Sequence, residues 1–514
     1  MFPSDTDLET KVTLENNATP IPEDEIFRIL LLGDWSGREN RANQTDLPQA
    51  QPLVVDRDNF DDVMKKLDVR LDLEFKSNEG NILSLNFSEL DDFHPDNIFQ
   101  QIPLFSELRD LRRKLLKPDS FEDAAGEVRS WFTTTDNQAN ETVETQPASE
   151  INQPIPSNLL DQILSQPSEN LSVSKSPSVA SSELSSFIRE IVQPHLVKTD
   201  RAEQSKLLAV IDEVTSDFMR KILHHPQFKA LESAWRGLYF LVRRVETAVE
   251  LKLLILDISK NEISDNLKSV NNLTDSILYK WLVKDASGTL GGEPWAAVCG
   301  NYNFDLKVDD VATLIRLGKI STAANAPFIS YIKPAMLGIT SLAAIPDPRD
   351  WQIAADSAEI KLWETLRGLP ESEYIGLAIP RFLVRLPYGA ETEPTETFAF
   401  EELESFDNHE QYLWANPSFA CAMLLGNSFS NSGWEMGYSL LTKINGLPTH
   451  LYQADGETKT KPCAEVVLTE NACEQLLEQG LMPLLSYRNS DLVRLSRFQS
   501  IASPLKSLRG RWSA

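Results

Sequence analysis

The chain has 514 residues, 41% hydrophobic and 24% charged, which excludes a collagenous or wholly disordered protein and, at about 150 residues per domain, leaves room for two or three folded units. Asp and Glu number 76 against 49 Lys and Arg, a net charge of -27, so the average field repels duplex nucleic acid and an anionic membrane surface. The four cysteines, Cys299, Cys421, Cys463 and Cys473, have no CxxC spacing, which argues against a disulfide framework or structural zinc and fits reduced thiols in the cytoplasm.

Residues 1–26 are polar, show no sustained period and read as a flexible arm. Asp5, Asp7 and Glu9 stand where a secretory signal needs basic residues, and the longest apolar stretches are far below the roughly 18 residues of a membrane span, so neither export by that route nor direct membrane insertion is expected. Phe27 to Leu32 is a short apolar run closed by Gly33-Asp34-Trp35-Ser36-Gly37, the pattern of a buried strand ending in a turn. Asn59 to Leu67 reads as helix. Val69, Leu71, Leu73 and Phe75 alternate with polar residues, and Ile82, Leu83, Leu85 and Phe87 follow a Ser-Asn-Glu-Gly turn, which predicts two antiparallel strands. After Pro103, Leu104, Leu108, Leu111 and Leu115 recur at helical spacing until Pro118. This first region, 27–135, is α+β, and it is too small to bury that leucine stripe alone, so it is expected to pack on the rest of the chain.

Residues 136–186 lack aromatics, carry five prolines among Ser, Asn, Gln and Glu, and read as a linker. Within it only Leu159, Leu160, Ile163 and Leu164 form a compact apolar set, a short helix over 157–165 that would form on docking. The larger region, 187–500, starts with helical patterns at Leu184 to Val192 and Lys206 to Leu223, then a long helix after Pro226 whose Phe228, Leu231, Trp235, Leu238, Leu241, Val242 and Val245 share one face. Leu251 to Ile258 is a near-continuous apolar strand, and Ser259 with Glu262 has capping-box spacing for the next helix. Alternation continues: helix Val311 to Ala324, strands Phe328 to Ile332 and Tyr374 to Ile379, helix His409 to Phe429, strand Glu465 to Leu468, helix Asn471 to Gln479, strand Leu481 to Tyr487. The class is α/β, with α+β character in the first region. A tail over 501–514 is basic, and Arg494, Arg497, Lys506, Arg509 and Arg511 are candidates for docking it on an acidic surface of a neighbouring copy.

No constellation of residues demands catalysis. The six histidines form no HxxxH, HExxH or HxH, and adjacent His224 and His225 would point about 100° apart on a helix, which suits capping and packing. Gly288 to Glu293 lacks the Lys and Ser or Thr of a phosphate loop, and Gly426-Asn427-Ser428-Phe429-Ser430 lacks the last glycine of a nucleophile elbow. Asp34 reads as a turn former, and the pairs Glu401-Glu402 and Asp309-Asp310 as solvated faces or helix starts. No enzyme activity, cofactor or metal is expected.

Specific strings go further. Residues 27–117, with Phe27-Arg28-Ile29-Leu30-Leu31-Leu32-Gly33-Asp34-Trp35-Ser36-Gly37-Arg38, Asp56-Arg57-Asp58-Asn59-Phe60 and Leu90-Asp91-Asp92-Phe93-His94-Pro95-Asp96, resemble the small subunit of the type VI secretion contractile sheath, TssB or VipA. Residues 157–500 resemble the large subunit, TssC or VipB, on Ser157 to Leu164, on His224-His225-Pro226-Gln227-Phe228 running to Glu232-Ser233-Ala234-Trp235-Arg236-Gly237-Leu238, and on Ile379-Pro380-Arg381-Phe382-Leu383-Val384-Arg385-Leu386-Pro387-Tyr388-Gly389. The strings Gly291 to Trp295, Ala326 to Ile329 and Gly446 to His450 extend the match. The resemblance implies a sheath-protomer-like fold, a structural role for both subunits fused in one chain, and as partners other sheath subunits, an inner tube protein and a ClpV-type unfoldase docking at 157–165. The family's large subunit continues past the position matching Ser500 into a segment that exchanges strands between protomers, and this chain lacks it, so the alternative expectation is a non-contractile adaptor or regulator of sheath ancestry.

Overall fold

In the computed structural model, which describes residues 25–41, 51–74, 82–133, 201–287, 292–352, 357–454 and 456–513, the first apolar run forms strand β1 (Phe27–Gly33). Both its faces are covered: Ile29 and Leu31 enter one apolar layer, Leu30 and Leu32 the other, and all four are at most 1% exposed. A strand buried on both faces needs a neighbour along each edge, and the larger region supplies them. β1 pairs in parallel with β5 (Leu251–Asp257) on one side, Phe27 opposite Leu251, and with β6 (Ala297–Phe304) on the other, Ile29 opposite Ala297.

The sheet so formed has nine strands. Antiparallel β2 (Leu53–Val55) closes one edge beside β5. Beyond β6 come parallel β7 (Phe328–Ile332), β8 (Ile375–Ile379) and β14 (Met482–Ser486), then antiparallel β15 (Val493–Leu495) and the two-residue edge strand β11 (Lys443–Ile444). The remaining strands form separate hairpins or pairs: β3 (Val69–Glu74) with β4 (Ile82–Phe87), β9 (Phe382–Leu383) with β10 (Trp414–Ala415), and β12 (Leu451–Ala454) with β13 (Glu457–Thr460).

Helices cover both faces. In the first region α1 (Phe60–Leu67) and α2 (Pro95–Gln101) precede α3 (Pro103–Leu116) and α4 (Phe121–Thr133). Leu108, Leu111 and Leu115 of α3 are buried, and α3 packs on α5 (Arg201–Leu223), so the leucine stripe finds its cover in the larger region. α6 (Pro226–Arg244) starts at Pro226 behind the cap His225 and buries all the apolar positions that its sequence period marks. α7 (Lys260–Ser269) has both halves of its capping box, Ser259 and Glu262. α8 (Val308–Ala324), α9 (Ala358–Arg367), α10 (Pro417–Ser432) and α11 (Glu470–Glu478) complete the layers. Gly237 lets α6 and α10 approach, because a Cβ there would stand 2.6 Å from the ring of Phe419.

Two expected elements differ. The helix predicted over His409 to Phe429 starts only at Pro417: His409–Gln411 is one 3-10 turn, Trp414–Ala415 is strand β10, and the Asn416 side chain caps α10 by accepting from the Ser418 N–H. The proline forces its predecessor out of helical geometry, and that boundary outweighs the apolar period upstream. The strand predicted over Glu465 to Leu468 is absent, because Glu465 adopts φ 42° and its carboxylate turns onto Arg381 instead of the chain entering a ladder. The β6 strand escaped the sequence reading because Gly300, Asn301 and Asn303 interrupt its apolar run; Gly300 is needed beneath Phe328, whose ring would lie 2.7 Å from a Cβ. The expectations for 1–24, for the linker with its 157–165 helix and for Leu184 to Val192 lie outside the described residues.

Because β1 fills the gap between β5 and β6, residues 1–145 and 146–514 produced as two polypeptides in one cell should copurify in equimolar amount, and the longer piece made alone should aggregate. Size-exclusion chromatography with circular dichroism checks this; two pieces that fold and run separately would contradict it.

Candidate functional site

The residues that join the two regions cluster at the carboxyl end of β1. Asp34 turns the chain by accepting from the N–H groups of Arg38 and Glu39. Asp257, at the end of β5, accepts from Trp35 N–H (2.8 Å), Ser36 N–H (3.1 Å) and the Ser36 hydroxyl (2.7 Å). Burial pushes the Asp257 carboxyl up to about 6, with Asp34 adding to the effect. The Arg38 guanidinium lies 3.7 Å from Asp257 and pairs at 2.7 Å with Glu262, the capping-box residue of α7. Burial alone would raise Glu262, but the hydrogen bonds from Arg38 outweigh it and hold the carboxyl below its ordinary range. Trp35 meets Trp235 of α6 edge-on at 5.6 Å, and the Trp235 indole N–H donates to the Trp35 carbonyl at 2.9 Å. Further along the junction Arg112 pairs with Asp212, Arg129 with Glu203, and Asp96 accepts from the N–H groups of Glu396 and Thr397.

A second polar cluster is centred on buried Glu232, Arg385 and Glu402. Glu232 on α6 is 0% exposed and receives Arg236 from its own helix at 2.7 Å and Arg385 at 2.7 Å. Arg385 also holds Glu402 at 2.7 Å, Arg236 donates to the Tyr388 hydroxyl at 2.8 Å, and the Tyr388 N–H donates to Glu402. Two carboxylates thus face two guanidiniums with no net charge, which is how ionised groups survive away from water. His224 stands 3.8 Å from Glu402, and burial lowers it to about 4, so its ring is neutral. Glu402 was expected to be solvated; at 1% exposed it is a core residue, because Arg385, 17 residues earlier in the chain, reaches it.

Next to this cluster Arg381 grips Glu465 at 2.6 Å, touches Glu410 at 3.2 Å, and His409 approaches Glu465 at 3.0 Å. His409, Glu410 and Glu465 offer ligand atoms within 4.8 Å of one another, but the Arg381 guanidinium already occupies the place of the positive charge, and it holds Glu465 down to about 2 against the opposing effect of burial. The set fits an ion network and not a metal centre.

The other candidate residues have structural positions. His225 caps α6, accepting from the Gln227 N–H. Ser428 is 0% exposed within α10, donating to the Leu424 carbonyl and accepting from the Leu441 N–H. Asp310 takes Lys260 at 2.7 Å at the start of α8, and Glu293 takes Arg28 and Lys252. Of the five basic docking candidates, Lys506 and Arg509 pair with Glu373, and Arg511 pairs with Glu25 and lies over the Trp434 ring. The tail is folded on its own chain through buried Ile501, Leu508 and Trp512, leaving Arg494 and Arg497 exposed. Leu159, Leu160, Ile163 and Leu164 lie outside the described residues.

Comparison with known proteins agrees with the junction. Residues 205–502 match the VipB family model, described as EvpB/VC_A0108, tail sheath N-terminal domain, and residues 15–127 match the T6SS_VipA model, described as Type VI secretion system, VipA, VC_A0107 or Hcp2. The type VI secretion system sheath protein TssC1 of Pseudomonas aeruginosa is 37% identical over 319 residues, which are 61% of this chain and 64% of that protein.

Two predictions follow from these geometries. Arg385→Met leaves Glu232 to Arg236 alone and strands Glu402 as a buried charge without a guanidinium, and should cost about 3–5 kcal/mol in urea unfolding, a loss that adding Glu402→Gln should partly recover. The second concerns pH. Asp257, raised from 3.8 to about 6, contributes stability that is full below about 4 and lost as pH rises through 6; His224, lowered from 6.5 to about 4, contributes stability that is full above 6.5 and lost as pH falls toward 4. Relative to the parent, His224→Asn should therefore gain stability and Asp257→Asn lose it as pH drops from 6.5 to 4.5, as read from urea midpoints. Parallel pH profiles for all three proteins would refute the assignment.

Proposed function

The chain belongs to the tail-sheath family of type VI secretion, with a VipA-type region joined ahead of a VipB-type region, and from that premise we propose that it is a structural sheath protomer made as one polypeptide and not an enzyme. The observation that carries this is the position of β1. The small-subunit region contributes a central strand of the large-subunit sheet, so the two regions form one building block whose parts cannot separate without opening the core. Joining them makes that association intramolecular, so that it no longer depends on the concentration of a second polypeptide. A lattice made of such units keeps the two regions equimolar at every position.

The reading extends to partners and place. Copies of the same chain or other sheath subunits are the primary partners. The proposal adds the inner tube protein and a ClpV-type unfoldase as further partners, the latter with Leu159, Leu160, Ile163 and Leu164 as its proposed docking residues. Among the described residues no helix is long and apolar enough to cross a membrane, and the site of action proposed is the cytoplasm.

Negative-stain electron microscopy of the purified protein tests the proposal. Helical tubes or ring stacks are expected. Discrete particles of one or two copies over the whole accessible concentration range would overturn it in favour of an adaptor or regulator.

A further inference from the structure

The parallel strands β1 and β6 are neighbours, yet the chain leaves their carboxyl ends toward opposite faces of the sheet. From β1 it returns to β5 through helices packed on the face of Ile29 and Leu31, whereas from β6 it enters α8, which packs on the face of Leu30 and Leu32. Connections that part in this way leave a crevice beyond the strand ends, the place where open α/β sheets take their ligands. Here the crevice is a cavity of about 480 Å³, a size common among small-molecule sites. Both regions of the chain build its wall: Asp34, Glu39 and Leu71 come from the first, while the start of α6, the start of α7 and the end of β6 come from the larger one.

The charged groups of the wall are Asp34, Glu39 and Lys260, and each is already engaged. Asp34 accepts from the N–H groups of Arg38 and Glu39, Glu39 accepts from the Asn261 amide, and Lys260 donates to Asp310 and to the Asn303 carbonyl. The side chains of Asn301 and Asn303, by contrast, have no hydrogen-bond partner among the described residues, and the Gln227 side chain uses only its oxygen, on Asn40. A carboxamide offers donors and acceptors together. A phosphate or carboxylate, which only accepts, would meet the lone pairs of Asp34 and Glu39. An ammonium group, which only donates, would meet the amide N–H groups. A hydroxyl does both, and buried Leu71 and Leu231 add an apolar patch to the same wall.

We propose that this crevice binds a neutral mono- or disaccharide, whose hydroxyls exchange hydrogen bonds with Asn301, Asn303 and Gln227 and whose C–H face lies on Leu71 and Leu231. The ligand bridges the two regions, so its occupancy favours the closed junction by mass action. The inference goes beyond the sheath reading and does not rest on it.

Saturation-transfer NMR on the full chain tests it, with glucose, N-acetylglucosamine and trehalose as probes and with putrescine and citrate as charged controls. At least one saccharide should give a saturable signal, and neither control should give one or displace it. Ala230→Trp fills the cavity from an exposed position on α6, and Asn303→Leu removes an exposed amide while leaving the backbone carbonyl that Lys260 uses. Circular dichroism of both should match the parent. The first should lose the signal, and the second should bind about 2- to 10-fold more weakly, the effect of one or two hydrogen bonds. Either variant binding as the parent does, signals from the charged controls in place of the saccharides, or no saccharide signal at all would each overturn the assignment.

Discussion

The pairing of β1 with β5 and β6 is the constraint on which the rest of the molecule depends. A parallel strand between two parallel neighbours cannot be replaced by water: without it, the inner edges of Leu251–Asp257 and Ala297–Gly300 would expose backbone groups that are buried on both faces. Burying Phe27, Ile29, Leu30, Leu31 and Leu32 contributes about 1.5–3 kcal/mol each before the entropy of ordering the chain is subtracted. The sequence separation between Phe27 and Leu251 is large, so this closure carries a loop-entropy cost that a continuous chain lowers relative to two free polypeptides.

Around this strand the polar residues have been placed to make the junction specific. Asp257 reads the backbone of Trp35 and Ser36, and Arg38 reaches across to the capping carboxylate of α7, so a slipped register of β1 would leave buried ionised groups without partners. Apolar burial alone would not discriminate so sharply, because Leu30, Leu31 and Leu32 are nearly interchangeable in shape. Ionised groups add little net stability when fully paired, yet they penalise every alternative pairing. The same reasoning covers Glu232, Arg236, Arg385 and Glu402, which lock α6 to the segment following β8. The strings that carry the family likeness, from His224 to Leu238 and from Ile379 to Gly389, thus meet in space as one buried network, and their polar residues have an architectural reason to be there.

The surface has the opposite character. Most of its charge is acidic and keeps copies apart at a distance, so association has to come from local departures from that average. Folding the tail onto Glu373 and Glu25 pairs Lys506, Arg509 and Arg511 within the chain, while Lys443 and Arg494, directly opposed in the β11/β15 register, have no carboxylate partner among the described residues. Salt, which screens beyond about 8 Å, weakens that long-range repulsion.

What the sequence determined by itself is the local structure. The run Phe27 to Leu32, the alternation of Val69 to Glu74, the α6 stripe behind Pro226 and the Ser259–Glu262 cap all follow from periods and caps confined to a few neighbouring residues, and each appears where the pattern places it. The family strings were legible for the same reason, since they are contiguous. The tertiary structure decided what depends on partners distant in the chain. That β1 belongs to the sheet of the larger region cannot be read from an apolar run whose pattern is silent about its neighbours. Glu402 looked solvated because nothing near it in sequence is basic, and Arg385 makes it a core residue. Glu465 left its expected strand for Arg381, and the basic tail settled on its own chain's acids. In each case a long-range ion pair outweighed a local preference worth less than about 1 kcal/mol, and such pairs exist only once the chain has folded.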